Sequence, residues 1–283
     1  MLSSIKKLVV CGAGTMGAGI AQVCAVAGFE TVLFDLSDAV LESAQKKIEA
    51  DLLKAVEKGK LDAGAKEAAL QRLHNTSNIN RCTGQVVIEA IVEKLQPKLD
   101  LFLQLHALNG NETIYCSNTS SLSINALAQQ LPAPAQVAGL HFFNPAPLMK
   151  LVEVVKGTHT TPVVIDTLMA FTKALGKTPV LCTDSPGFIV NRVARPYYIE
   201  ALRLAEAGYA MQEIDALLEG IGFKMGPFKL MDLIGNDVNY AVSQSVWEQL
   251  GTPERLRPSH LQQQKVAAGH LGKKTCQGYY KYK

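Results

Sequence analysis

Two ionisable side chains, His141 and Glu153, stand in apolar segments of the 283-residue chain. His141 follows the apolar run 137–140 and precedes a turn stiffened by two prolines. Imidazole titrates near neutral pH, so this side chain could accept a proton from an alcohol. Glu153 lies within the valine-rich run 151–155, where a carboxylate is costly unless it is paired. If the chain returned alongside after the turn, Glu153 would fix the tautomer of His141 and stabilise its imidazolium.

Both residues also have a structural interpretation. His141 could be a buried core histidine whose hydrogen bonds are satisfied by its neighbours. Glu153 could face solvent, because successive side chains of a strand point to opposite faces and its valine neighbours would then point inwards. The sequence alone leaves these alternatives open.

A polar run, SNTSS at 117–121, follows the apolar run 113–116. In open parallel sheets ligands bind beyond the carboxyl ends of the strands, so hydroxyls and amides here could hold a substrate or a nicotinamide ring. The same run could instead cap a helix over 124–130, with Ser121 or Ser123 at the cap. The two functions are compatible with each other.

A glycine motif near the N-terminus predicts a dinucleotide site. The pattern G-x-G-x-x-G follows an apolar run and opens a helical segment. Its first glycine permits a tight turn, its second lets a pyrophosphate approach the backbone, and its third lets the helix pack on the strand. The helix N-terminus adds free N–H groups for the phosphates. We therefore expect cofactor contacts from Gly12, Ala13, Gly14, Thr15, Met16 and Gly17.

Asp35 ends the next apolar run and completes the pattern strand, helix, strand, acid. Its carboxylate can accept hydrogen bonds from both hydroxyls of the adenine ribose, and it would repel a 2′-phosphate. The pattern therefore predicts NAD rather than NADP as the cofactor. An ordinary glycine-rich loop is the alternative, and the complete pattern disfavours it.

The composition disfavours several classes of protein. A formal net charge of +3 is too balanced to indicate nucleic-acid binding. No apolar run reaches the length of about eighteen residues that a membrane span needs, and the first residues lack the apolar core of a signal peptide. No C-x-x-C pair is present, so we expect neither a disulfide nor a metal site, and we expect a cytoplasmic protein. The scattered cysteines are Cys11, Cys24, Cys82, Cys116, Cys182 and Cys276.

Apolar, β-rich runs alternate with helical patterns over the first two-thirds of the chain. This alternation predicts an α/β fold, a Rossmann-type doubly wound and mainly parallel sheet covered by helices on both faces. The segment 38–73, rich in Ala, Lys, Glu and Leu, predicts a helical hairpin inserted between strands, with a break near 59–64. From these residues alone, a solvated amphipathic cover of the sheet is the favoured interpretation of the hairpin. Strands are expected at 7–11, 31–35, 86–90, 113–117, 137–141, 151–155 and 178–181.

Turn-forming residues at 183–188 predict a domain boundary. We expect an NAD-binding Rossmann domain over 1–184 and a smaller all-helical domain over 185–283. The apolar character of the helices in this second domain favours a homodimer formed through it. Beyond the boundary, helices are expected at 189–207, 211–218, 230–250 and 258–268.

The chain resembles the L-3-hydroxyacyl-CoA dehydrogenase family, which includes bacterial 3-hydroxybutyryl-CoA dehydrogenases. The resemblance spans essentially the whole chain and is carried, in order, by the motifs GAGTMGAGIAQV, EAIVEKLQPK, SNTSSLSI, GLHFFNPAPLMKLVEVV, DSPGFIVNR and MGPFKLMDLIG. It implies a homodimeric oxidoreductase that converts an (S)-3-hydroxyacyl-CoA reversibly into a 3-ketoacyl-CoA by hydride transfer to NAD. The substrate it favours is 3-hydroxybutyryl-CoA.

The resemblance also implies roles for individual residues. His141 matches the catalytic base, and Glu153 matches the carboxylate that orients it. Ser120 and Asn191 match residues that contact the region of the substrate's 3-oxygen. The positions that match the cofactor site are Ser120, Glu93, Lys98, Asn144 and Lys274.

In the family, the helical hairpin contacts coenzyme A, and Lys58 matches a basic contact there. A matching serine is replaced by Asp51, and an acid that faces a polyphosphate would be unfavourable. Near the C-terminus, TCQG at 275–278 departs from the usual T-G-x-G turn. This departure places Cys276 where a glycine would adopt a positive φ more easily.

Two other functions stay open. One is a different Rossmann dehydrogenase that acts on another hydroxyacid, in which the SNTSSLSI and HFFNPAP motifs are less expected. The other is an NAD-binding structural protein, since a relative of the family serves as a lens crystallin. The joint presence of His141, Glu153, Ser120 and Asn191 disfavours this structural role.

Overall fold

A single sheet organises the first part of residues 5–283, the range that this computed structural model describes. Its strands are β1 Lys7–Cys11, β2 Glu30–Phe34, β3 Leu73–Thr76, β4 Val86–Glu89, β5 Ile114–Ser117, β6 Val137–Phe142, β7 Leu151–Lys156 and β8 Thr178–Thr183. The strand order is β3-β2-β1-β4-β5-β6-β7-β8, and all neighbours run parallel except β6 and β7. The first six strands have the order of a Rossmann sheet, which confirms the predicted fold class.

The sequence analysis missed strand β3. Its four residues, LHNT, contain only one apolar side chain, and they form a strand because they pair in parallel with β2. The predicted hairpin was therefore one residue too long, since Leu73 begins β3. The other strands agree with their predicted bounds to within two residues at each end.

The helical hairpin that follows β2 is present. Ser37 Oγ accepts the N–H of Val40 at the start of its first helix, and Asp62 Oδ1 accepts the N–H of Ala65 at the start of its second. These N-caps determine where each helix begins. The helices that accompany the sheet are α1 Thr15–Val26, α2 Asp38–Glu57, α3 Ala63–Gln71, α4 Leu95–Asn109, α5 Ile124–Ala128 and α6 Pro162–Ala174.

Strands β1, β4 and β6 are buried along almost their whole length, as expected for parallel strands covered on both faces. Side chains of α1 and α6, such as Ile20 and Phe171, join Leu33 and Leu140 in one apolar cluster. Full burial of such a side chain contributes about 1.5–3 kcal/mol to stability. This packing fixes the strand ends at which the polar residues lie.

The chain divides into two compact units, Met1–Asp184 and Ser185–Lys283. The second unit is built from helices around a core that contains Tyr198, Phe228 and Met231. Its helices are α7 Val190–Glu206, α8 Met211–Gly220, α9 Pro227–Ile234, α10 Asn236–Gln249 and α11 His260–Ala267.

The prediction of one helix over 230–250 was wrong, because the chain forms two helices there, α9 and α10. Gly235 separates them with a φ of 106°, which only glycine adopts easily. A Cβ on Gly235 would also lie 2.9 Å from Asp237 Oδ1 and 3.2 Å from Lys274 Nζ. The break therefore depends on one residue inside an otherwise continuous helical pattern.

The C-terminal residues are held by the buried carboxylate of Asp232. Its Oδ1 accepts the N–H of Tyr279 at 2.9 Å, and its Oδ2 accepts the N–H of Tyr280 and the hydroxyl of Tyr282, each at 2.9 Å. Cys276, just before this segment, adopts a φ of 56°. The cysteine therefore takes the left-handed conformation that a glycine would be expected to provide.

No helix within residues 5–283 is long and apolar enough to cross a membrane. The same part of the chain contains no group of three or more His, Cys, Asp or Glu side chains placed to hold a metal ion.

Candidate active site

His141 and Glu153 form a buried pair at the edge where β6 ends. The turn after β6 reverses the chain, and the antiparallel register then places Glu153 directly opposite His141. His141 Nδ1 lies 2.7 Å from Glu153 Oε2, and the two residues are 6% and 1% exposed. Glu153 therefore does not face solvent. The ring of Phe143 packs beside the imidazole, with 4.5 Å between ring centroids.

This pairing determines what the imidazole can do. A carboxylate beside Nδ1 holds a proton on that nitrogen, so the neutral ring presents its lone pair on Nε2. When Nε2 takes a proton, the adjacent carboxylate stabilises the resulting imidazolium. The pair is therefore suited to accept a proton from an alcohol and to return it.

A second buried charge pair lies at the end of β4. Lys98 Nζ lies 2.5 Å from Glu89 Oε1 and 3.1 Å from Glu93 Oε2. Burial raises the pKa of Glu89, although the Lys98 ammonium acts in the opposite direction. Burial also opposes ionisation of Glu93, but Lys98 and the hydrogen bonds from Thr119 and Ser120 outweigh it and lower the pKa of that carboxyl. One ammonium thus holds two carboxylates at this strand end.

Glu93 organises the loop that carries Ser120. Its Oε1 accepts the Thr119 hydroxyl at 2.5 Å, the Ser120 N–H at 2.9 Å and the Ser121 N–H at 3.2 Å. The predicted helix cap in this run is also present, and Ser123 rather than Ser121 supplies it by accepting the N–H of Ala126. The helix cap is therefore confirmed at Ser123, just after the run 117–121, and ligand binding by the run stays a prediction.

The sequence analysis did not predict the contacts of two residues in this region, Asn118, which belongs to the run 117–121, and Glu89. Asn118 Oδ1 accepts the N–H of Phe142 at 2.8 Å and so ties the end of β5 to the end of β6, next to His141. Glu89, besides its pairing with Lys98, accepts the Ser117 hydroxyl at 2.7 Å. A signal existed for Glu89, because a carboxylate that ends the apolar run 86–88 needs a partner. No spacing rule pointed to the Asn118 amide.

The glycine turn has the geometry that its motif predicts. Gly12 has a φ of 97°, and a Cβ on Gly17 would lie 1.7 Å from the Gly12 carbonyl oxygen. A Cβ on Gly14 would meet no atom within 4 Å, so space is open beside the first turn of α1, which begins at Thr15. A dinucleotide pyrophosphate fits such an opening, because free N–H groups face it and no side chain fills it.

Asp35 lies beside this turn and is anchored to it. Its Oδ2 accepts the N–H of Ala13 at 2.8 Å, and its Oδ1 accepts the N–H of Ser37 at 3.0 Å. A cavity of about 570 Å³ is lined by Asp35, Gly12 and Gly14 together with apolar side chains such as Ile79 and Leu101. Carboxylate, glycine turn and apolar walls together suit an adenosine moiety.

A larger cavity, of about 880 Å³, lies beside the helical hairpin. Asn144 and Lys58 both line it, and Asp51 lies there too. Asp51 forms an ion pair with Lys47 on the same helix, so its charge is compensated within the cavity wall. The lysines that line this cavity are Lys47, Lys54, Lys58, Lys60, Lys150 and Lys177.

Two of the predicted site residues belong to the second unit. Asn191 lies on α7, where its carbonyl oxygen accepts a hydrogen bond from Arg195 Nε at 2.9 Å. Lys274 Nζ lies 2.6 Å from Asp237 Oδ1 within the same unit. The other predicted residues lie in the first unit, where Met16 on α1 is partly buried against the core.

Family models match both units of the chain. Residues 7–185 match the NAD-binding domain of 3-hydroxyacyl-CoA dehydrogenase, and residues 187–282 match the C-terminal domain of the same family. The NAD-binding domain indicates NAD as the cofactor, in agreement with the glycine motif and Asp35.

Three similar proteins are all named as dehydrogenases of hydroxyacyl-CoA compounds. The chain is 46% identical over 286 residues to 3-hydroxyadipyl-CoA dehydrogenase of Escherichia coli. The matched region covers all of this chain and 60% of that protein. It is 43% identical to the mitochondrial hydroxyacyl-coenzyme A dehydrogenase of Sus scrofa, covering 99% of this chain and 92% of the relative. The crystal structure of (S)-3-hydroxybutyryl-CoA dehydrogenase PaaH1 from Ralstonia eutropha superposes with a TM-score of 0.95 at 37% identity, covering 99% and 100% of the two chains.

Proposed function

The chain belongs to the 3-hydroxyacyl-CoA dehydrogenase family, and we propose that it oxidises an (S)-3-hydroxyacyl-CoA reversibly to the 3-ketoacyl-CoA with NAD. The observation that carries this proposal is the buried pair of His141 and Glu153. The pair lies at the carboxyl end of β6, which is the same end of the sheet as the glycine turn after β1. Two full-length relatives are named 3-hydroxybutyryl-CoA dehydrogenases, one of them as probable, and they support that compound as the substrate.

The proposed proton transfer follows from the geometry of the pair. His141 Nε2 accepts the proton of the 3-hydroxyl group while the C3 hydride leaves, so the C3–O bond becomes a carbonyl. Glu153 stabilises the imidazolium that forms, and the proton returns to the oxygen in the reverse direction. Bound NAD supplies the hydride acceptor, and the protein contributes orientation and proton transfer.

Cofactor and substrate contacts are proposed for the remaining predicted residues. Gly12–Gly17 would hold the pyrophosphate, and Asp35 would hold the adenine ribose. Glu93 and Lys98 support a cofactor role for the neighbouring loop because they already fix its backbone. Ser120 and Asn191 would contact the substrate's 3-oxygen, and Asn144 and Lys274 would contact the cofactor. For the two residues of the second unit, the family resemblance alone supports these roles.

We also propose that the lysine-lined cavity beside the hairpin receives the phosphates of coenzyme A. Lys58 stands on its wall with four further lysines besides the buried Lys177, and the pairing of Asp51 with Lys47 removes the expected repulsion. A phosphate surrounded by several ammonium groups is bound electrostatically, so raised salt should increase the KM for the acyl-CoA.

A homodimer formed through the C-terminal helical unit, in the cytoplasm, completes the proposal. Several apolar side chains of this unit are exposed, among them Val193 at 72%, Ile221 at 68% and Leu217 at 65%. Such a surface fits burial against a second copy of the chain. Light scattering at micromolar concentration should give twice the chain mass, and a monomer would contradict this part.

Steady-state kinetics test the proposed reaction. We expect rapid oxidation of NADH with acetoacetyl-CoA, slower turnover with NADPH, and no turnover with free 3-ketoacids that lack coenzyme A. A series of 3-ketoacyl-CoA chain lengths would then define the preferred substrate. Turnover of free ketoacids without acyl-CoA activity would instead support another Rossmann dehydrogenase, and no turnover of any of these substrates would support a structural role.

A further inference from the structure

Lys177 is a buried cation that none of the roles above uses. It is 9% exposed and lies between α6 and β8. Its Nζ donates hydrogen bonds to the carbonyl oxygens of Ala146 at 2.6 Å, Pro147 at 3.3 Å and Met149 at 2.9 Å. A lysine ammonium has three N–H donors, so these three carbonyls satisfy all of them.

The charge of this ammonium is not compensated by an acid. Within the described residues, the groups that act electrostatically on Lys177 are Cys24 and Lys150, and neither is a carboxylate. Burial lowers the pKa of Lys177, and the nearby Lys150 adds to this effect. The three oriented carbonyl dipoles offset the desolvation of the charge. The ammonium therefore depends on the loop carbonyls for its stabilisation, and the loop backbone depends on the ammonium for its position.

The loop held in this way, residues 144–149, lies between the proposed catalytic base and the helix that follows the glycine motif. It begins at Asn144, three positions after His141 in the sequence. On its other side the loop lies against α1, where a Cβ on Gly19 would approach Ala146 Cβ and Pro147 Cδ to 3.2 Å each. The loop is thus fixed between the helix of the glycine motif and the Lys177 ammonium.

Sheet topology explains why a residue so distant in sequence reaches this loop. Strand β7 runs antiparallel to β6, and β8 runs parallel to β7. Strand β8 therefore begins at the end of the sheet where β6 ends. The N–H of Thr178 donates to the carbonyl of Lys150 at 2.8 Å and anchors the start of β8 there. Lys177, the residue before Thr178, therefore lies next to the loop that follows β6 and reaches its carbonyls.

We propose that Lys177 is a positioning residue for the cofactor: its ammonium gathers three loop carbonyls and so fixes Asn144 relative to α1. This inference rests on the proposed function only in assigning Asn144 to the cofactor site. Because its three N–H donors are taken by loop carbonyls, Lys177 is assigned no contact of its own with the substrate or the cofactor.

The test is a double-mutant cycle in the full-length protein, using Lys177→Met and Asn144→Ala. Lys177→Met keeps an unbranched side chain as far as Cε but removes the ammonium and its donors. We expect it to raise the Kd and the KM for NADH about tenfold or more, because small misplacements of a site are costly. If Lys177 acts through Asn144, the Kd of the double variant for NADH should not exceed the larger of the two single-variant Kd values. The matched control is Lys173→Met, which removes an exposed lysine from the last turn of α6 and should change neither constant.

Hydrogen exchange gives a readout that does not require activity. The N–H groups of Leu148 and Met149 both donate to the Pro145 carbonyl at 3.0 Å, and their exchange should accelerate in Lys177→Met while exchange in β1 stays unchanged. If Lys177→Met does not fold, Lys177→Gln enters the same cycle, since it keeps some donors but not the charge.

The outcomes separate this inference from the proposed reaction. Effects on NADH binding that add in the double variant, or unchanged exchange in the loop, would overturn the role of Lys177. An inactive wild-type protein whose loop still loosens in Lys177→Met would overturn the proposed reaction and leave the Lys177 clamp supported.

Discussion

Nδ1 of His141 lies 2.7 Å from Oε2 of Glu153, across the one antiparallel strand pair in the described sheet. A parallel neighbour would require a crossover of about a dozen residues or more between strands. Here the chain reverses through a short proline-containing loop, and both residues fall within the single motif GLHFFNPAPLMKLVEVV. The reversal places a carboxylate opposite the imidazole within twelve residues of sequence.

The first prediction concerns the base. Replacing His141 with Gln removes the group that accepts the hydroxyl proton, so kcat should fall by about 10²–10⁴-fold. NADH should still bind with a near-native Kd, since the glycine turn and Asp35 are untouched. Kinetics with acetoacetyl-CoA and NADH fluorescence titration would measure the two quantities.

His74 offers a matched control for this experiment. It forms a similar pair with Glu30 at 2.8 Å, but both side chains are more than half exposed. His74→Gln should therefore leave turnover unchanged, whereas Glu153→Gln should reduce it because the imidazolium loses its carboxylate. Near-native turnover in His141→Gln would refute the assignment of the base.

The second prediction separates two glycines of one motif. A Cβ on Gly17 would lie 1.7 Å from the Gly12 carbonyl oxygen, so Gly17→Ala should lower the free energy of unfolding by about 3 kcal/mol or more. Gly14 has an ordinary φ of −67° and open space around its Cβ position, so Gly14→Ala should fold normally. It should nevertheless weaken NADH binding about tenfold, or about 1.4 kcal/mol, because the methyl group occupies the place of the pyrophosphate.

Urea unfolding and NADH titration of both variants test this prediction. A Gly14→Ala variant that binds NADH as tightly as the wild type would show that the phosphates do not approach this turn. An equally stable Gly17→Ala variant would show that the helix can shift away from the strand.

Much of the fold follows from local pattern, and the exceptions have physical causes. The buried parallel strands are apolar along their length, so sequence reasoning finds them. Strand β3 is short and polar and exists only through its pairing with β2. The division between α9 and α10 depends on a single positive φ at Gly235, within a segment whose helical periodicity is otherwise continuous.

The candidate site also has contacts that local sequence predicts and contacts that depend on the tertiary structure. Pairing of His141 with Glu153 was predictable, because each stands out in an apolar run and one turn separates them. The contacts of Lys177 and Asn118 depend on which strands become neighbours, and no local pattern encodes that order. Their side chains bind main-chain groups, which have no sequence signature.

The third prediction is a pH dependence of stability that arises from Glu93. Its pKa is lowered in the folded protein, because Lys98 and the hydrogen bonds from Thr119 and Ser120 outweigh the effect of burial. Between the lowered pKa and the ordinary value of about 4.5, the unfolded chain binds more protons than the folded one. The ionised carboxylate therefore stabilises the fold fully above the ordinary value, and this contribution is lost as the pH falls through the lowered pKa.

Urea unfolding of the wild type and Glu93→Gln, from about pH 3 to about pH 7, would measure this effect. The stability of the wild type minus that of the variant should shrink as the pH falls below about 4.5. A difference that stays constant over this range, or grows towards acid, would show that Lys98 does not stabilise the charged form.

The fourth prediction concerns Cys276, which adopts a φ of 56°, a conformation that glycine takes more easily. A left-handed conformation costs a residue with a Cβ about 1–2 kcal/mol, and the extra freedom of glycine in the unfolded chain offsets about 0.5–1 kcal/mol of this. Cys276→Gly should therefore raise the free energy of unfolding by about 0.5–1 kcal/mol. Cys276→Ala is the control, since it also removes the exposed thiol but keeps the Cβ, and it should bring no gain. Equal stability of the two variants in urea would mean that the strain at this turn is relieved elsewhere in the C-terminal segment.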